Sequence, residues 1–263
     1  MDFGRILILI PLILLSFVSS NDSHSIIRMR TDLSDSYAGV RKIRVDDSLY
    51  CDSWRFVIEA NDAGKWSTVP KRCLEFVKEY MTGGRYTSDS EIVADYAVAF
   101  AKTVNVSTNR KDAWVFDIDE TLLSNLPYYR DNEYGSEPFD EASFDLWVDS
   151  SVAPALPASL RLYNELRKLN FTIFLLTGRT ENQRTSTIEN MLFAGYSGWE
   201  KLFLRGASDL GKLATVYKSE KRREIESAGY TIHGNSGDQW SDLTGFAVAT
   251  RSFKLPNPMY YIA

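Results

Sequence analysis

One segment sets the architecture of the chain: Val115-Phe116-Asp117-Ile118-Asp119-Glu120-Thr121-Leu122-Leu123, an apolar strand that runs into two carboxylates. Residues i and i+2 of a strand point to the same side, so Asp117 and Asp119 should crowd one spot at the strand end. Carboxylates that close repel each other unless a positive charge lies between them. Mg²⁺ suits such a pair together with phosphate oxygens, and one Asp could then accept a phosphoryl group. Taken alone, the string fits a turn or a helix N-cap equally well.

Beyond this segment, the sequence after residue 110 alternates between strand and helix patterns. Strands are predicted at 113–118, 171–177, 201–205, 230–234 and 246–250, with helices near 157–169, 181–194 and 219–228. The first, second and fourth strands are nearly continuous apolar or β-favouring runs, as buried parallel strands are. The pattern predicts an α/β fold, a Rossmann-like parallel sheet with helices on both faces and a ligand site beyond the C-terminal strand ends.

This predicted core spans 111–263, and two further segments surround it. Residues 21–110 are predicted to form a mostly helical section, with helices over 70–81 and 88–104 and another near Cys51. A small cap is predicted around 124–156. Its aromatic residues either line a site for a hydrophobic leaving group or simply pack the cap, and they are Tyr128, Tyr129, Phe139 and Trp147.

Polar groups follow three of the predicted strands. Asp117 and Asp119 follow the first, Thr177-Gly178-Arg179 follows the second, and the polar segment 234–242 ends the fourth. Lys218 lies at the predicted start of the helix before the fourth strand. Because the C-terminal ends of parallel strands meet at one edge of the sheet, these groups are expected to form one site.

With these residues in this order, the chain resembles the haloacid dehalogenase-like phosphatase superfamily. The resemblance rests on four strings at predicted strand ends or helix starts: Asp117-Ile118-Asp119-Glu120-Thr121, Thr177-Gly178, Lys218 and Gly237-Asp238-Gln239-Trp240-Ser241-Asp242. The wider strings 217–222 and 234–242 are similar to one branch, the plant class IIIB acid phosphatases and vegetative storage proteins. The likeness extends to 51–54 and 71–80, and so to nearly the whole mature chain.

The resemblance implies an acid phosphatase that hydrolyses phosphate monoesters. It makes Asp117 the nucleophile that forms an aspartyl-phosphate, and Asp119 the general acid and base, whose backbone carbonyl also binds metal. Thr177, with backbone N–H groups near Gly178, would bind the phosphoryl oxygens. Lys218 would neutralise the charge between Asp117 and the phosphoryl group.

The cofactor implied by the resemblance is Mg²⁺, on which four carboxylates are expected to converge: Asp117, Asp119, Asp238 and Asp242. Asp242 would lie beside the ion or one step further out. Lys212 is the alternative to Lys218, Arg179 would touch substrate or form a cap or salt bridge, and His233 would be a satisfied core or edge residue. A small cap and an open site favour broad substrate choice. The rival function is a storage protein, a nitrogen reserve with little or no catalysis.

The first 20 residues predict a secretory signal peptide. Arg5 precedes the mainly apolar run 6–18, and Val18-Ser19-Ser20 supplies a cleavage site. The alternative is an uncleaved anchor. The expected location is therefore the secretory pathway, extracellular or vacuolar, with no membrane contact after cleavage. The net charge of −5 and the lack of a basic run argue against a nucleic-acid partner, and a homodimer stays open.

A secreted chain would pass through an oxidising compartment in which cysteines pair and N-glycans are attached. Cys51 and Cys73 are predicted to form a disulfide in an oxidising compartment, with two buried free thiols as the alternative. Asn105, in a polar loop, is the best candidate for glycosylation. Asn170, just before a buried strand, and Asn21, at the cleavage site, are weaker candidates.

Overall fold

Five parallel strands form one sheet at the centre of the computed structural model, which describes residues 46–263. The predicted signal peptide at 1–20 and the acceptor site Asn21 lie outside the described residues. The sheet has the order β3-β2-β1-β4-β5, and all neighbouring strands are parallel, which confirms the predicted α/β fold. The strands are β1 (Asp112–Phe116), β2 (Thr172–Thr180), β3 (Lys201–Arg205), β4 (Thr231–Gly237) and β5 (Arg251–Lys254).

The helices of the described part of the chain flank this sheet. Among residues 46–263, none of them combines the length and the apolar character that a membrane crossing requires. They are α1 (Asp47–Glu59), α2 (Leu74–Thr82), α3 (Gly84–Ala101), α4 (Leu126–Asp131), α5 (Glu141–Asp149), α6 (Pro157–Lys168), α7 (Arg184–Phe193), α8 (Ala214–Ser227) and α9 (Trp240–Leu243).

Strand β1 lies at the centre of the sheet and is buried along its whole length. Its side chains alternate between two apolar layers, because successive residues of a strand point to opposite faces. Trp114 and Phe116 pack with α3, α6 and α7 on one face. Ala113 and Val115 pack with Tyr217 and other α8 residues on the second face. Helices therefore cover both faces, as predicted.

Two predicted boundaries were wrong. The last strand is β5 at Arg251–Lys254 and not 246–250, where the chain forms bends. Because β5 is an edge strand and buries Phe253 alone among its four residues, its sequence lacks the apolar run on which the prediction depended. Helix α8 begins at Ala214 and not near 219, so Lys218 lies on its second turn and not at its start.

The helices before the sheet pack against the cap and the chain end. Cys51 of α1 and Cys73, in a 3₁₀ turn before α2, form the predicted disulfide, with a Cα–Cα distance of 5.4 Å. Tyr80 and Tyr86 from this section share an apolar cluster with cap residues and with Met259. We call residues 255–263 the C-terminal tail. The tail therefore contacts the N-terminal helices and also residues 124–156, the segment predicted to be a cap, which contains α4 and α5.

Candidate active site

Three carboxylates meet at the C-terminal edge of the sheet. Asp117 directly follows β1, Asp238 directly follows β4, and Asp242 lies on α9. All three are buried, and one carboxylate oxygen from each lies within 4.8 Å of the others. At Gly237, an added Cβ would overlap the Asp242 side chain, so glycine at this position lets Asp242 approach the end of β4.

Lys218 bonds to this carboxylate cluster from α8. Its Nζ lies 2.5 Å from Asp117 Oδ1 and also donates to Asp242 Oδ1. Burial alone would lower the pKa of the Lys218 ammonium, but the Asp117 and Asp242 carboxylates outweigh burial and raise that pKa. Lys218 is therefore a fixed positive charge on the Asp117 carboxylate.

One ammonium does not balance three carboxylates. Burial raises the pKa of the Asp117 carboxyl well above its usual range, and Asp242 and Asp238 add to the rise that Lys218 opposes. Burial and Asp242 likewise raise the pKa of Asp238 to about 6. When all three carboxylates are ionised, they and Lys218 carry a net charge of −2, which one divalent cation would balance. The oxygen ligands suit Mg²⁺, and the residues present therefore fit that ion.

Asp119 lies apart from the other three carboxylates and binds Arg179 instead. Arg179 Nη2 lies 2.7 Å from Asp119 Oδ1, and Arg179 Nε lies 3.1 Å from Asp119 Oδ2. Burial alone would raise the pKa of the Asp119 carboxyl, but the Arg179 guanidinium outweighs burial and holds that pKa below its ordinary value. The structure thus brings three of the four predicted carboxylates together, and Arg179 forms the salt bridge that was one of its predicted alternatives.

The second strand supplies its polar groups from an irregular end. Between Leu176 and Thr180 the register of β2 against β3 shifts, as at a bulge, and such bulges re-aim side chains beside sites. Thr177 is fully buried, and its Oγ1 accepts the backbone N–H of Arg179 and lies 3.5 Å from Asp119 Oδ2. Gly178 is exposed, so its backbone can be approached from the cavity that it lines.

Two other predicted candidates lie elsewhere. Lys212 pairs with Asp209 and Glu220 and not with the carboxylate cluster, so the structure favours Lys218 of the two lysines. His233 contacts Asp112 at the opposite end of β1, through Nε2 at 2.7 Å from Oδ1.

A cavity of about 510 Å³ opens beside these groups, and Asp117, Asp119 and Lys218 line it. The aromatic part of its lining comes from two segments, the cap and the C-terminal tail. The aromatic residues of this lining are Tyr128, Tyr129, Phe139, Phe144, Tyr260 and Tyr261. Of the four cap aromatics singled out from the sequence, three therefore line the cavity, whereas Trp147 donates its indole N–H to Asn125.

Four further residues support the site, and no local pattern in the sequence predicted their role. Glu120 and Asn125 are fully buried beside Asp119, while Asn257 and Tyr260 come from the tail. Asn257 Nδ2 lies 2.7 Å from Asp238 Oδ2. Burial and the Asp238 carboxylate raise the pKa of Glu120 to about 8. A single buried polar residue outside helices and strands gives no periodic signal, and the tail has no regular structure that would reveal its partners.

Comparison with known proteins identifies the family. Residues 38–263 match the haloacid dehalogenase (HAD) superfamily, subfamily IIIB (acid phosphatase), and the chain therefore belongs to that family. This confirms the resemblance given above and the prediction of an acid phosphatase enzyme. Enzymes of this superfamily generally use a divalent metal ion, in agreement with the buried acidic cluster.

Two curated relatives and one solved structure show how similar this chain is to other proteins. Acid phosphatase 1 of Solanum lycopersicum is 54% identical over 216 residues, which are 82% of this chain and 85% of the tomato protein. Vegetative storage protein 2 of Arabidopsis thaliana is 36% identical over 81% of this chain and 80% of its own length. The class C acid phosphatase from Bacillus anthracis matches with a TM-score of 0.60 and 25% identity, over 72% of this chain and 84% of the bacterial one.

Proposed function

We propose that this acid phosphatase hydrolyses phosphate monoesters with Mg²⁺ bound at Asp117, Asp238 and Asp242, through an aspartyl-phosphate on Asp117. The observation that carries the proposal is the buried cluster of these three carboxylates with Lys218 on Asp117 Oδ1. The backbone carbonyl of Asp119 is the further ligand that the family resemblance implies. When bound, Mg²⁺ would compensate the charge of the carboxylates and of the phosphoryl oxygens, which keeps Asp117 ionised.

The first step transfers the phosphoryl group to Asp117. Lys218 holds Oδ1, so Oδ2 attacks phosphorus while the bond between phosphorus and the ester oxygen breaks. Asp119 gives its proton to the departing ester oxygen, which leaves as an alcohol or a phenol. Lys218 and backbone N–H groups near Gly178 stabilise the charge on the phosphoryl oxygens.

The second step releases phosphate. Asp119, now ionised, takes a proton from a water molecule as that water attacks phosphorus, and the bond to Asp117 breaks. Arg179 stabilises the ionised form of Asp119, so this carboxylate is unprotonated and available as the base when the water attacks. When substrate is bound, its phosphate dianion acts in the opposite direction and raises the pKa of Asp119. Asp119 can then be protonated and act as the acid in the first step.

Metal removal tests this proposal. The protein would be stripped with EDTA, exchanged into metal-free buffer and assayed with p-nitrophenyl phosphate, with and without added Mg²⁺. We expect turnover below about 1% of the initial rate in the stripped protein and its return with Mg²⁺, since charge stabilisation supplies most of phosphoryl-transfer catalysis. Mg²⁺ should also raise the melting temperature of the stripped protein. Undiminished turnover after stripping would contradict the metal assignment.

A second candidate function, storage, comes from the Arabidopsis relative, whose name says vegetative storage protein. The presence of Asp117, Thr177, Lys218 and Asp238 in one site favours catalysis. The same assay separates the two functions, because a storage protein would show no turnover with Mg²⁺ present.

We also propose that the protein is exported through the secretory pathway, to the cell exterior or the vacuole. The run 6–18 after Arg5 and the disulfide Cys51–Cys73 support this proposal, as disulfides persist in oxidising compartments. Asn105 and Asn170 are both exposed and outside regular structure, so a glycosyltransferase could reach them. N-terminal sequencing of the protein from its tissue, with a mass measurement before and after deglycosylation, tests the export route. A chain that begins at Met1 and carries no glycan would contradict it.

A further inference from the structure

Asn125 is a fully buried residue whose side chain bonds to the general acid proposed above. Its Nδ2 donates to Asp119 Oδ1 at 2.9 Å and to Glu120 Oε2 at 3.1 Å. Its Oδ1 accepts the indole N–H of Trp147 at 2.8 Å. Because an indole N–H can only donate, it fixes the amide with the oxygen toward Trp147 and the NH₂ group toward the two carboxylates. Each hydrogen of that NH₂ group then has one acceptor.

Glu120 holds Asn125 from the other side. Its Oε1 accepts the backbone N–H of Asn125 at 2.5 Å, and its Oε2 accepts the hydroxyl of Tyr260 at 2.6 Å. Glu120 is fully buried and has a φ of 49°, a left-handed conformation that side chains other than glycine seldom adopt. Glu120 thus combines a buried carboxyl group with a strained backbone. Such strain beside an active-site carboxylate is typical of positions whose conformation serves the function.

The cap, the C-terminal tail and the end of the central strand all contact the pair formed by Asn125 and Glu120. Asn125 begins the cap at α4, Trp147 lies on α5 of the cap, and Tyr260 belongs to the C-terminal tail, where its ring stacks on Tyr129 at 5.1 Å. Asp119 itself follows the central strand. A displacement of the cap or the tail would therefore reach Asp119 through Asn125 and Glu120.

The contacts also distinguish the two oxygens of Asp119. Oδ1 accepts from Asn125 Nδ2 and from Nη2 and Nε of Arg179, at 2.9, 2.7 and 3.2 Å. Oδ2 accepts from Arg179 Nε at 3.1 Å, and its other contact, with Thr177 Oγ1, is at 3.5 Å. Arg179 Nε has one hydrogen, which Oδ1 and Oδ2 share, so Asn125 Nδ2 and Arg179 Nη2 are the two donors that bond to Oδ1 alone. These two donors use both lone pairs of Oδ1, so Oδ2 is the oxygen that can carry the proton.

We infer that Asn125 is a positioning residue for the general acid: with Arg179 it occupies Asp119 Oδ1, which leaves Oδ2 to exchange the proton with the leaving group, and Trp147 and Glu120 fix the orientation of Asn125. This inference rests on the proposed function, in which Asp119 is the acid. It concerns the departure of the ester oxygen and not the binding of phosphate, so its effect depends on the leaving group. An alkyl alcohol needs the proton, whereas nitrophenolate leaves without much protonation.

The test compares kcat/KM for two substrates, glycerol 2-phosphate and p-nitrophenyl phosphate, at saturating Mg²⁺. Asn125→Ala should lower the glycerol phosphate value about 100-fold and the nitrophenyl value less than about 10-fold, since misplacing a catalytic group costs on the order of 100-fold. Trp147→Phe keeps the ring and removes only the N–H donor. It should change the ratio of the two values in the same direction by about threefold to tenfold.

Asn190→Ala is the matched control. Asn190 is as buried as Asn125 and also uses its whole amide, donating to Ala153 O at 2.7 Å and accepting from Ala153 N at 3.1 Å, but it lies away from the site. This variant should lower the melting temperature and leave the substrate ratio unchanged. If Asn125→Ala shows no cooperative unfolding transition, the Trp147→Phe ratio decides the question.

Asp119→Asn separates the inference from the function on which it depends. A selective loss on glycerol phosphate in Asp119→Asn, together with equal losses on both substrates in Asn125→Ala and Trp147→Phe, would overturn the inference and leave the acid assignment in place. Equal losses in Asp119→Asn would overturn both. Selective losses in all three variants, with an unchanged ratio in Asn190→Ala, would support the positioning role.

Discussion

An aspartate lies at each end of strand β1, and the two carboxylates have different electrostatic surroundings. Asp112 begins the strand, where Oδ2 accepts the backbone N–H and the hydroxyl of Ser107 at 2.8 and 2.6 Å and Oδ1 contacts His233. Asp117 follows the last residue of the strand and faces Asp238 and Asp242. Both aspartates expose little of their surface, at 9% and 6%, but Asp117 lies much deeper in the protein than Asp112.

The depth of burial and the neighbouring groups together give the two carboxyl groups different pKa values. Burial alone would raise the pKa of Asp112, but the hydrogen bonds from Ser107, with His233, outweigh it and hold that pKa below its ordinary value. Burial raises the pKa of Asp117, and the neighbouring carboxylates add to the rise that Lys218 opposes. One end of the sheet therefore stabilises the folded chain, and the other end keeps unbalanced charge that suits a cation and a phosphate group.

The largest loss of activity is expected from Asp117→Asn, at the end of β1 that carries the active site. An amide cannot form the aspartyl-phosphate, so we expect kcat for p-nitrophenyl phosphate to fall at least about 1,000-fold. The same change removes one of the crowded charges, so the free energy of unfolding of the metal-free protein should rise by about 1 kcal/mol, the equivalent of one pKa unit. Turnover and thermal unfolding would be measured on the same preparation. A variant that keeps most of the wild-type turnover would disprove the nucleophile assignment.

A smaller effect is expected at Asp238, which belongs to the active end but does not react. Asp238→Asn keeps the size of the side chain and an oxygen for the N–H groups of Gln239 and Asn257. It should raise the Mg²⁺ concentration for half-maximal activity about 100-fold or more, since even residues behind metal ligands are worth about 10- to 100-fold in affinity.

Calorimetric titration of Mg²⁺ into the metal-free variant gives the affinity without an activity assay. At pH 7, above the raised pKa of Asp238, the metal-free variant should unfold at the same temperature as the wild type or at a higher one. Unchanged Mg²⁺ affinity would remove Asp238 from the ligand set.

The sequence predicted those features of the sheet and its strand ends that depend on local residue patterns. Buried parallel strands are apolar and end abruptly, so the positions of Asp117 and Asp238 after strands were predictable from the runs before them. Thr177 lies inside β2, which continues three residues further to Thr180. Strand β5 was misplaced because an edge strand with one buried residue has no such run, whereas the apolar 246–250 segment resembles one.

Partnerships between distant residues were beyond the sequence. The pairing of Arg179 with Asp119 was only one of several alternatives, and nothing local distinguishes Asn125 from an ordinary helix cap. Asn257 reaches Asp238 from a tail that has no periodicity. Only the folded chain shows which donor meets which carboxylate, and these contacts set the pKa directions that distinguish Asp117 from Asp119.

The smallest effect is expected at the structural end of β1, where Asp112→Asn should destabilise the protein and leave kcat/KM unchanged. The variant loses charge-assisted hydrogen bonds from Ser107 and the contact with His233. We expect the free energy of unfolding at pH 6 to fall by about 1–2 kcal/mol, as for hydrogen bonds to charged groups. Denaturant unfolding with a turnover assay on the same sample would measure both quantities.

The pH dependence of this loss follows from the pKa of Asp112, which folding lowers below its ordinary value of 3.8. A carboxyl whose pKa is lower in the folded state stabilises that state above its unfolded pKa and loses the contribution as pH falls through the folded pKa. The difference in stability between wild type and Asp112→Asn should therefore be full near pH 6 and shrink as pH falls through 3.8 and below. Asp117→Asn should change stability in the opposite direction at pH 6. If the two substitutions changed stability with the same sign, the neighbours of each carboxylate would not be what separates the two ends of β1.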